Sequence, residues 1–206
     1  MADATMGQEL RPGEERLPVG SAADPRASGW YGMAMLITTE ASLFAYLLFG
    51  YFYAAVSSQS DWPPAGPPAA GYALANLVVL VASVAAVWLA ETSLRRGEAR
   101  NATAALFGAL VLGLLFILIQ VLDWRSQGQD ITRGSYGAYY YVLTGVHLAH
   151  VAVGVLIIAA LFAWTRMRLL GQRRPAPLSI GALYWYFVAA VEIPIFATLY
   201  VAPHLG

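Results

Sequence analysis

Five long apolar stretches, each able to cross a lipid bilayer as a helix, constrain this chain more than any other feature. A spanning helix needs about 20 mostly apolar residues. The five stretches cover residues 30–56, 71–94, 102–124, 137–165 and 180–203. None alternates with the period of two that a membrane β-barrel requires. The sequence therefore predicts an all-α membrane protein, a five-transmembrane-helix bundle over residues 30–203.

The remaining composition agrees with an apolar environment. Only 12% of the 206 residues are charged, whereas soluble domains carry roughly a quarter. The absence of cysteine excludes disulfide frameworks, thiolate metal sites and catalytic thiols. Residues 1–29 are polar and rich in Pro, Gly and acidic side chains, without the apolar core of a signal peptide, so we predict a flexible N-terminal tail there.

The distribution of arginine predicts the orientation in the membrane. The loops after the second and fourth stretches share one side with the N-terminal tail, and seven arginines lie in or beside them: Arg95, Arg96, Arg100, Arg166, Arg168, Arg173 and Arg174. The loop after the first stretch and the C-terminal segment contain none. The positive-inside rule then predicts a cytoplasmic N-terminus and an outer C-terminus.

Four ionisable residues lie near the middle of the predicted spans. They are Glu40, His147, His150 and Glu192. Because insertion scales penalise an ionised carboxylate at mid-bilayer by about 3 kcal/mol, such groups must be neutral, paired or turned into the bundle. Each is therefore a candidate structural or proton-handling residue.

The fourth stretch indicates how these groups are accommodated. Helical spacing aligns Tyr140, Thr144, His147 and His150 in one polar stripe. We predict that a carboxylic acid from another helix lies against an imidazole there, and Glu40 is the best candidate.

Three roles are open for the two histidines: metal ligand, proton relay, or interior polar residue that fixes helix packing. A b-type haem usually takes its axial histidines from two helices, whereas both histidines here lie on one. The His-Glu-x-x-His pattern of zinc proteases is absent. A site made of two histidines and two glutamates stays open, beside the proton-handling and packing roles.

A second group of residues lies near the predicted membrane interfaces. Aromatic rings with a polar edge prefer the headgroup level, and short polar side chains at helix ends reach water. On this basis we predict lipid or interface contacts for Trp62, Gln120, Asp123, Trp124, Tyr184 and Trp185.

Several motifs, in one order, resemble subunit III of the haem-copper terminal oxidases, which include cytochrome c and quinol oxidases. They are "TEASLFAYLLFGYFYA", "WPP", "GLLFILIQVLDW", "YGAYYYVLTGVHLAHVAVG" and "YWYFVAAVEIPIFATLY". The fourth is the most specific, because it matches the family pattern Tyr-Gly-x-x-Phe-x-x-x-Thr-Gly-x-His-x-x-His-Val. The resemblance is to the five-helix bacterial form.

The resemblance implies a non-catalytic subunit of a proton-translocating oxidoreductase in the bacterial cytoplasmic membrane. Haems and copper belong to subunits I and II, so no catalytic, cofactor-binding or metal residue is expected in this chain. Subunit I is the expected main partner, with subunit II and a small subunit IV as further candidates, and no nucleic acid. Phospholipid binding, support of proton uptake and protection against turnover-linked inactivation are also implied. Glu40 matches the family's mid-membrane carboxylate, and His147 with His150 its paired histidines.

Departures from the family pattern keep an alternative open. Tyr186 and Ala189 replace the usual histidine and aspartate, and Glu192 replaces a tryptophan. A homologous accessory subunit of a nitric oxide reductase is the alternative. A transporter is less well supported because internal repeats are lacking, and a stand-alone membrane enzyme because the inventory of reactive groups is too small.

Overall fold

The computed structural model describes residues 25–58, 62–64, 68–127, 134–170 and 176–204. Its five long helices are α1 Pro25–Ser57, α2 Gly71–Arg95, α3 Ala99–Gln127, α4 Ser135–Arg166 and α5 Ala176–Phe196. Each is long and apolar enough to cross a membrane. Every regular element in these ranges is helical, which confirms the predicted all-α membrane bundle.

Helices α1 to α4 are longer than the apolar stretches that predicted them, whereas α5 ends at Phe196, before the predicted residue 203. α1 begins five residues before the expected start, at Pro25, and α3 begins at Ala99 rather than at residue 102. The apolar pattern stops at the first polar side chains, but alanine and arginine favour helix and extend it. Pro25 suits a first helical turn because its missing N–H has no helical acceptor there. Residues 1–24 of the predicted tail, and Arg173 and Arg174, lie outside the described residues.

A tight connection joins α2 to α3. Gly97 has a φ of 81°, a left-handed conformation that glycine adopts without steric cost. The N–H of Gly97 donates to the carbonyl of Leu94, and that of Glu98 donates to Ser93. These bonds end α2 in the manner of a glycine C-cap, so α3 begins at once and packs along α2.

α5 occupies the centre of the bundle and α1 its edge. α5 packs against α1, α2 and α4, and 44% of its most apolar window is buried, compared with 6% for α1. α5 continues through Pro194 and widens into a π-helical turn, Ala197–Val201, before a final 3-10 turn, Ala202–His204. Most of the outer face of α1 is therefore apolar, and the other described residues leave it uncovered.

Candidate functional site

The first polar contact inside the bundle joins α1 to α4. The Nε2 atom of His150 lies 3.0 Å from a carboxyl oxygen of Glu40, in hydrogen-bonding geometry. The Nδ1 atom of His150 lies 2.7 Å from the carbonyl oxygen of Val146. Since a carbonyl can only accept, Nδ1 carries a hydrogen. Nε2 then either accepts from a protonated Glu40 or donates to an ionised one, and in both cases the pair has no net charge.

A second contact joins α4 to α5, one turn along the same face. The Nε2 atom of His147 lies 3.1 Å from a carboxyl oxygen of Glu192, and both residues are buried. The contact lacks the angles of a hydrogen bond, and neither ring nitrogen of His147 has another hydrogen-bond partner among the described residues. The two side chains are thus within reach of one proton, in a site closed to water.

The ring of Phe44 packs against both histidines. Its centroid lies 5.0 Å from that of His150 and 6.2 Å from that of His147, edge to face in each case. Phe116 contacts His147 from α3 in the same way, at 5.8 Å. Aromatic rings therefore enclose the imidazoles and hold their orientation.

A third polar group lies toward the end of the bundle where α3 ends. The hydroxyl of Tyr140 donates to a carboxyl oxygen of Asp123 at 2.8 Å, and that of Tyr200 donates to the same oxygen at 3.1 Å. All three side chains are buried. Asp123 thus joins three helical segments and is withdrawn from the surface.

Two neighbouring contacts extend this group. The indole of Trp124 donates to the hydroxyl of Thr144 at 3.0 Å. The amide of Asn76 on α2 donates to Gln120 on α3 at 3.0 Å, and both residues are buried. Interhelical hydrogen bonds of this kind hold membrane helices in register.

Four residues predicted at the interfaces are instead buried within this chain: Gln120, Asp123, Tyr184 and Trp185. The prediction of lipid or interface contact is wrong for Trp185, which is fully buried. Its indole donates to the hydroxyl of Ser83 at 3.0 Å. Gly154 and Gly113 make room for the ring, because a Cβ atom on Gly154 would stand 2.6 Å from it.

The other two interface candidates are only partly covered. Trp62 packs edge to face against Tyr51 and Tyr136 at 5.5 and 5.3 Å. Trp124 is half-buried through its bond to Thr144. Both remain accessible enough to contact lipid or a neighbouring protein.

A cavity opens beside the pair formed by Glu40 and His150. It measures about 250 Å³ and is otherwise walled by apolar side chains and Tyr184, whose hydroxyl donates to the carbonyl of His150 at 3.3 Å. The Glu40 side chain is 32% exposed in this isolated chain. One of the two carboxylate–imidazole pairs is thus accessible from outside the bundle and the other is not.

Tyr186, one of the departures from the family pattern, takes part in a separate contact between α2 and α5. The Glu91 carboxylate accepts from Arg95 at 2.6 Å and from Ser179 at 2.7 Å. The Tyr186 hydroxyl donates to its second oxygen at 3.4 Å. A tyrosine in place of the usual histidine therefore keeps a polar role.

Sequence reasoning missed the partners supplied by other helices: Asn76, Ser83 and Tyr200. Asn76 could have been predicted as an interior polar contact, because an amide deep in an apolar stretch is unusual. Ser83 and Tyr200 could not, because serine and tyrosine are common in such stretches. No three His, Asp or Glu side chains come together as a metal site within the ranges that the structure describes.

The fold and these contacts define a multi-pass membrane bundle whose interior ionisable groups pair across helices. The family model for cytochrome c oxidase subunit III matches residues 23–203. Similar proteins named cytochrome c oxidase subunit 3 occur in Latimeria chalumnae (29% identical over 178 residues) and Lumbricus terrestris (30% over 177), each alignment covering 82% of this chain and 68% of the relative. The one from Mycosarcoma maydis is 28% identical over 176 residues, covering 82% and 64%.

The chain belongs to the cytochrome c oxidase subunit III family, within the haem-copper oxidases. It is a membrane-spanning subunit of an oxidoreductase complex and associates with other oxidase subunits.

Proposed function

We propose that this chain is a non-catalytic subunit that stabilises subunit I, binds phospholipid and supports proton uptake during O₂ reduction. Its partners are subunit I, then subunit II and a small subunit IV. The complex lies in a bacterial cytoplasmic membrane, with the arginine-rich ends of the helices in the cytoplasm. The haems and copper belong to the partner subunits.

The observation that carries this proposal is the pairing of all four central ionisable groups within the chain. Glu40 is engaged by His150, and Glu192 lies against His147. The Nε2 atom of each histidine therefore lies against a carboxyl group of a neighbouring helix. This arrangement suits residues that fix the bundle better than residues that hold a redox centre.

A role for subunit I as partner is supported by the outer face of α1. Large apolar side chains cover it from end to end: Met35, Leu36, Tyr46, Phe49, Tyr53 and Val56 are all exposed. An apolar face of this length is stable only against lipid or another membrane protein.

A supporting role in proton uptake draws on the accessibility of the Glu40–His150 pair. The pair can hold one exchangeable proton, and it borders a cavity that opens to the outside of the bundle. The pair is neutral while it holds this proton and carries one negative charge after releasing it, and the opening beside Glu40 is where the proton would be exchanged.

Comparing the oxidase complex with and without this chain tests the proposal. With the chain removed, we expect unchanged haem and copper spectra, slower proton uptake and fewer turnovers before inactivation. Loss of the haem spectrum, or identical uptake and lifetime in the two preparations, would refute the accessory role. The nitric oxide reductase alternative is not favoured, since the relatives described above carry oxidase names.

A further inference from the structure

Three arginines surround a cleft between α3 and α4, away from the polar contacts described above. The cleft measures about 630 Å³. Arg100 at the start of α3 and Arg166 with Arg168 at the end of α4 line it, and Ala104, Phe107 and Phe162 form its apolar wall. We name it the arginine cleft.

The three arginines have no carboxylate partner among the residues that the structure describes, and their side chains are exposed. The nearest carboxylate in the sequence, Glu98, accepts from Asn101 at 2.8 Å and does not line the cleft. Glu98 directly precedes α3, and its carbonyl accepts from the N–H of Ala102, so its charge opposes the positive end of that helix. Among the described residues, the cleft is lined by three guanidinium groups and by no carboxylate.

Arg168 adds an observation independent of charge. Its φ is 58°, and it follows the last turn of α4 at a position where glycine is usual. The N–H of Leu169 donates to Trp164 across this turn at 2.9 Å. A side chain at a left-handed position costs conformational free energy, which is expected where the side chain itself has a function.

The apolar wall distinguishes an amphiphile from a simple anion. The rings of Phe107 and Phe162 lie 5.9 Å apart on adjacent helices, and Phe107 is 54% exposed. The two rings lie next along the cleft from the arginines, within the membrane-spanning parts of α3 and α4. An acyl chain lying along these rings would place its phosphate among the guanidinium groups, which bind phosphate oxygens in a bidentate manner.

We propose that the arginine cleft binds an anionic phospholipid, with the phosphate held by Arg100, Arg166 and Arg168 and one acyl chain along Phe107 and Phe162. The inference assigns a site and a lipid class to the lipid-binding role proposed above, and it rests on that role. Each basic residue near an anionic surface strengthens binding about five-fold, so three together are worth roughly 100-fold.

Lipid counting on the intact oxidase complex tests this site. The complex is extracted in mild detergent, mixed with phosphatidylglycerol or phosphatidylcholine, and weighed by native mass spectrometry. The test variant replaces the three arginines together by glutamine, and the control is Arg96→Gln, an exposed arginine at the same end of the bundle that does not line the cleft. Replacement of all three by lysine keeps the positive charge. It shows whether the complex still assembles when these three positions are changed together.

We expect the glutamine variant to bind phosphatidylglycerol roughly 100-fold more weakly at one site, while Arg96→Gln keeps that lipid. The lysine variant keeps the charge but not the bidentate geometry, so we expect it to bind with an affinity between these two. Equal binding by the glutamine variant would overturn the inference. So would displacement of the lipid by millimolar inorganic phosphate, which would mark the cleft as a site for a free anion. If the unmodified complex bound neither lipid, the broader lipid-binding function would fail; if it bound both equally, only the preference assigned here would fail.

Discussion

Glu40 on α1 and His150 on α4 lie 3.0 Å apart near the middle of their helices and share a hydrogen bond. Because His150 donates from Nδ1 to a backbone carbonyl, its other nitrogen and the carboxyl group have one proton between them. α1 has few other buried contacts, so this bond is a principal polar tie between α1 and the rest of the bundle.

Two substitutions at Glu40 separate packing from proton exchange. Glu40→Ala removes the bond and is expected to lower the free energy of unfolding by about 1 kcal/mol, a typical value for a polar contact between membrane helices. Glu40→Gln can still donate to Nε2 and is expected to stay near wild type. A detergent unfolding titration measures both, and Glu98→Gln, an exposed carboxylate at a helix end, is the control.

The same pair of variants reports on function. We expect Glu40→Ala to reduce the number of turnovers that the oxidase completes before inactivation, with its haem spectrum unchanged, and Glu40→Gln to retain the normal number. If the glutamine variant failed as early as the alanine variant, the exchangeable proton rather than the bond would be the important property.

A double-mutant cycle tests the contact of His147 with Glu192. We expect His147→Ala and Glu192→Ala each to destabilise the bundle, with a coupling energy of about 0.6–1.7 kcal/mol between them. The haem spectrum should persist in the single variants. The non-contacting combination of His147 with Glu40 is the reference cycle, and equal coupling in both cycles would show that the 3.1 Å contact contributes nothing.

Gly154 is expected to tolerate no side chain. Because an added Cβ would stand 2.6 Å from the buried ring of Trp185, Gly154→Ala should cost about 1–3 kcal/mol through overpacking. Gly145→Ala on the same helix meets no atom within 4 Å and should leave stability unchanged or slightly raised. Thermal unfolding of the two variants makes the comparison, and a neutral Gly154→Ala would contradict the packing described for Trp185.

Removing either tyrosine hydroxyl should weaken the end of the bundle held by Asp123. Tyr140→Phe and Tyr200→Phe each delete one donor to the same carboxyl oxygen, and each is expected to cost about 1 kcal/mol. Since the two residues share an acceptor, the double variant should depart from additivity. Tyr46→Phe, on the exposed face of α1, is the control in the same unfolding assay.

The sequence predicted the number of helices and the approximate span of each, because spanning lengths are fixed by the bilayer and are visible as apolar runs. It also predicted which carboxyl group lies against an imidazole, since Glu40 and the stripe on α4 share one depth. The partner of Glu192 could not be predicted, because the rotation of α5 about its axis depends on packing against three other helices.

Trp185 is a second residue whose surroundings could not be predicted from its own helix. Its position early in the apolar stretch 180–203 is typical of a ring at the headgroup level, but α5 begins at Ala176, so Trp185 lies near the middle of the helix. Only the glycines of two other helices reveal the space that buries the ring. Spacing within one helix gives the face that a residue shares with its neighbours, but the identity of the facing helix is a property of the assembled bundle.

Purification of the tagged chain from native membranes, first in mild detergent and then stripped of its companions, shows whether the chain itself holds a redox centre. We expect the first preparation to show haem absorbance and to consume O₂. We expect the second, still helical, to be colourless and free of stoichiometric metal. A stripped chain that kept haem, iron, copper or zinc would contradict the assignment of Glu40, His147, His150 and Glu192 to helix packing.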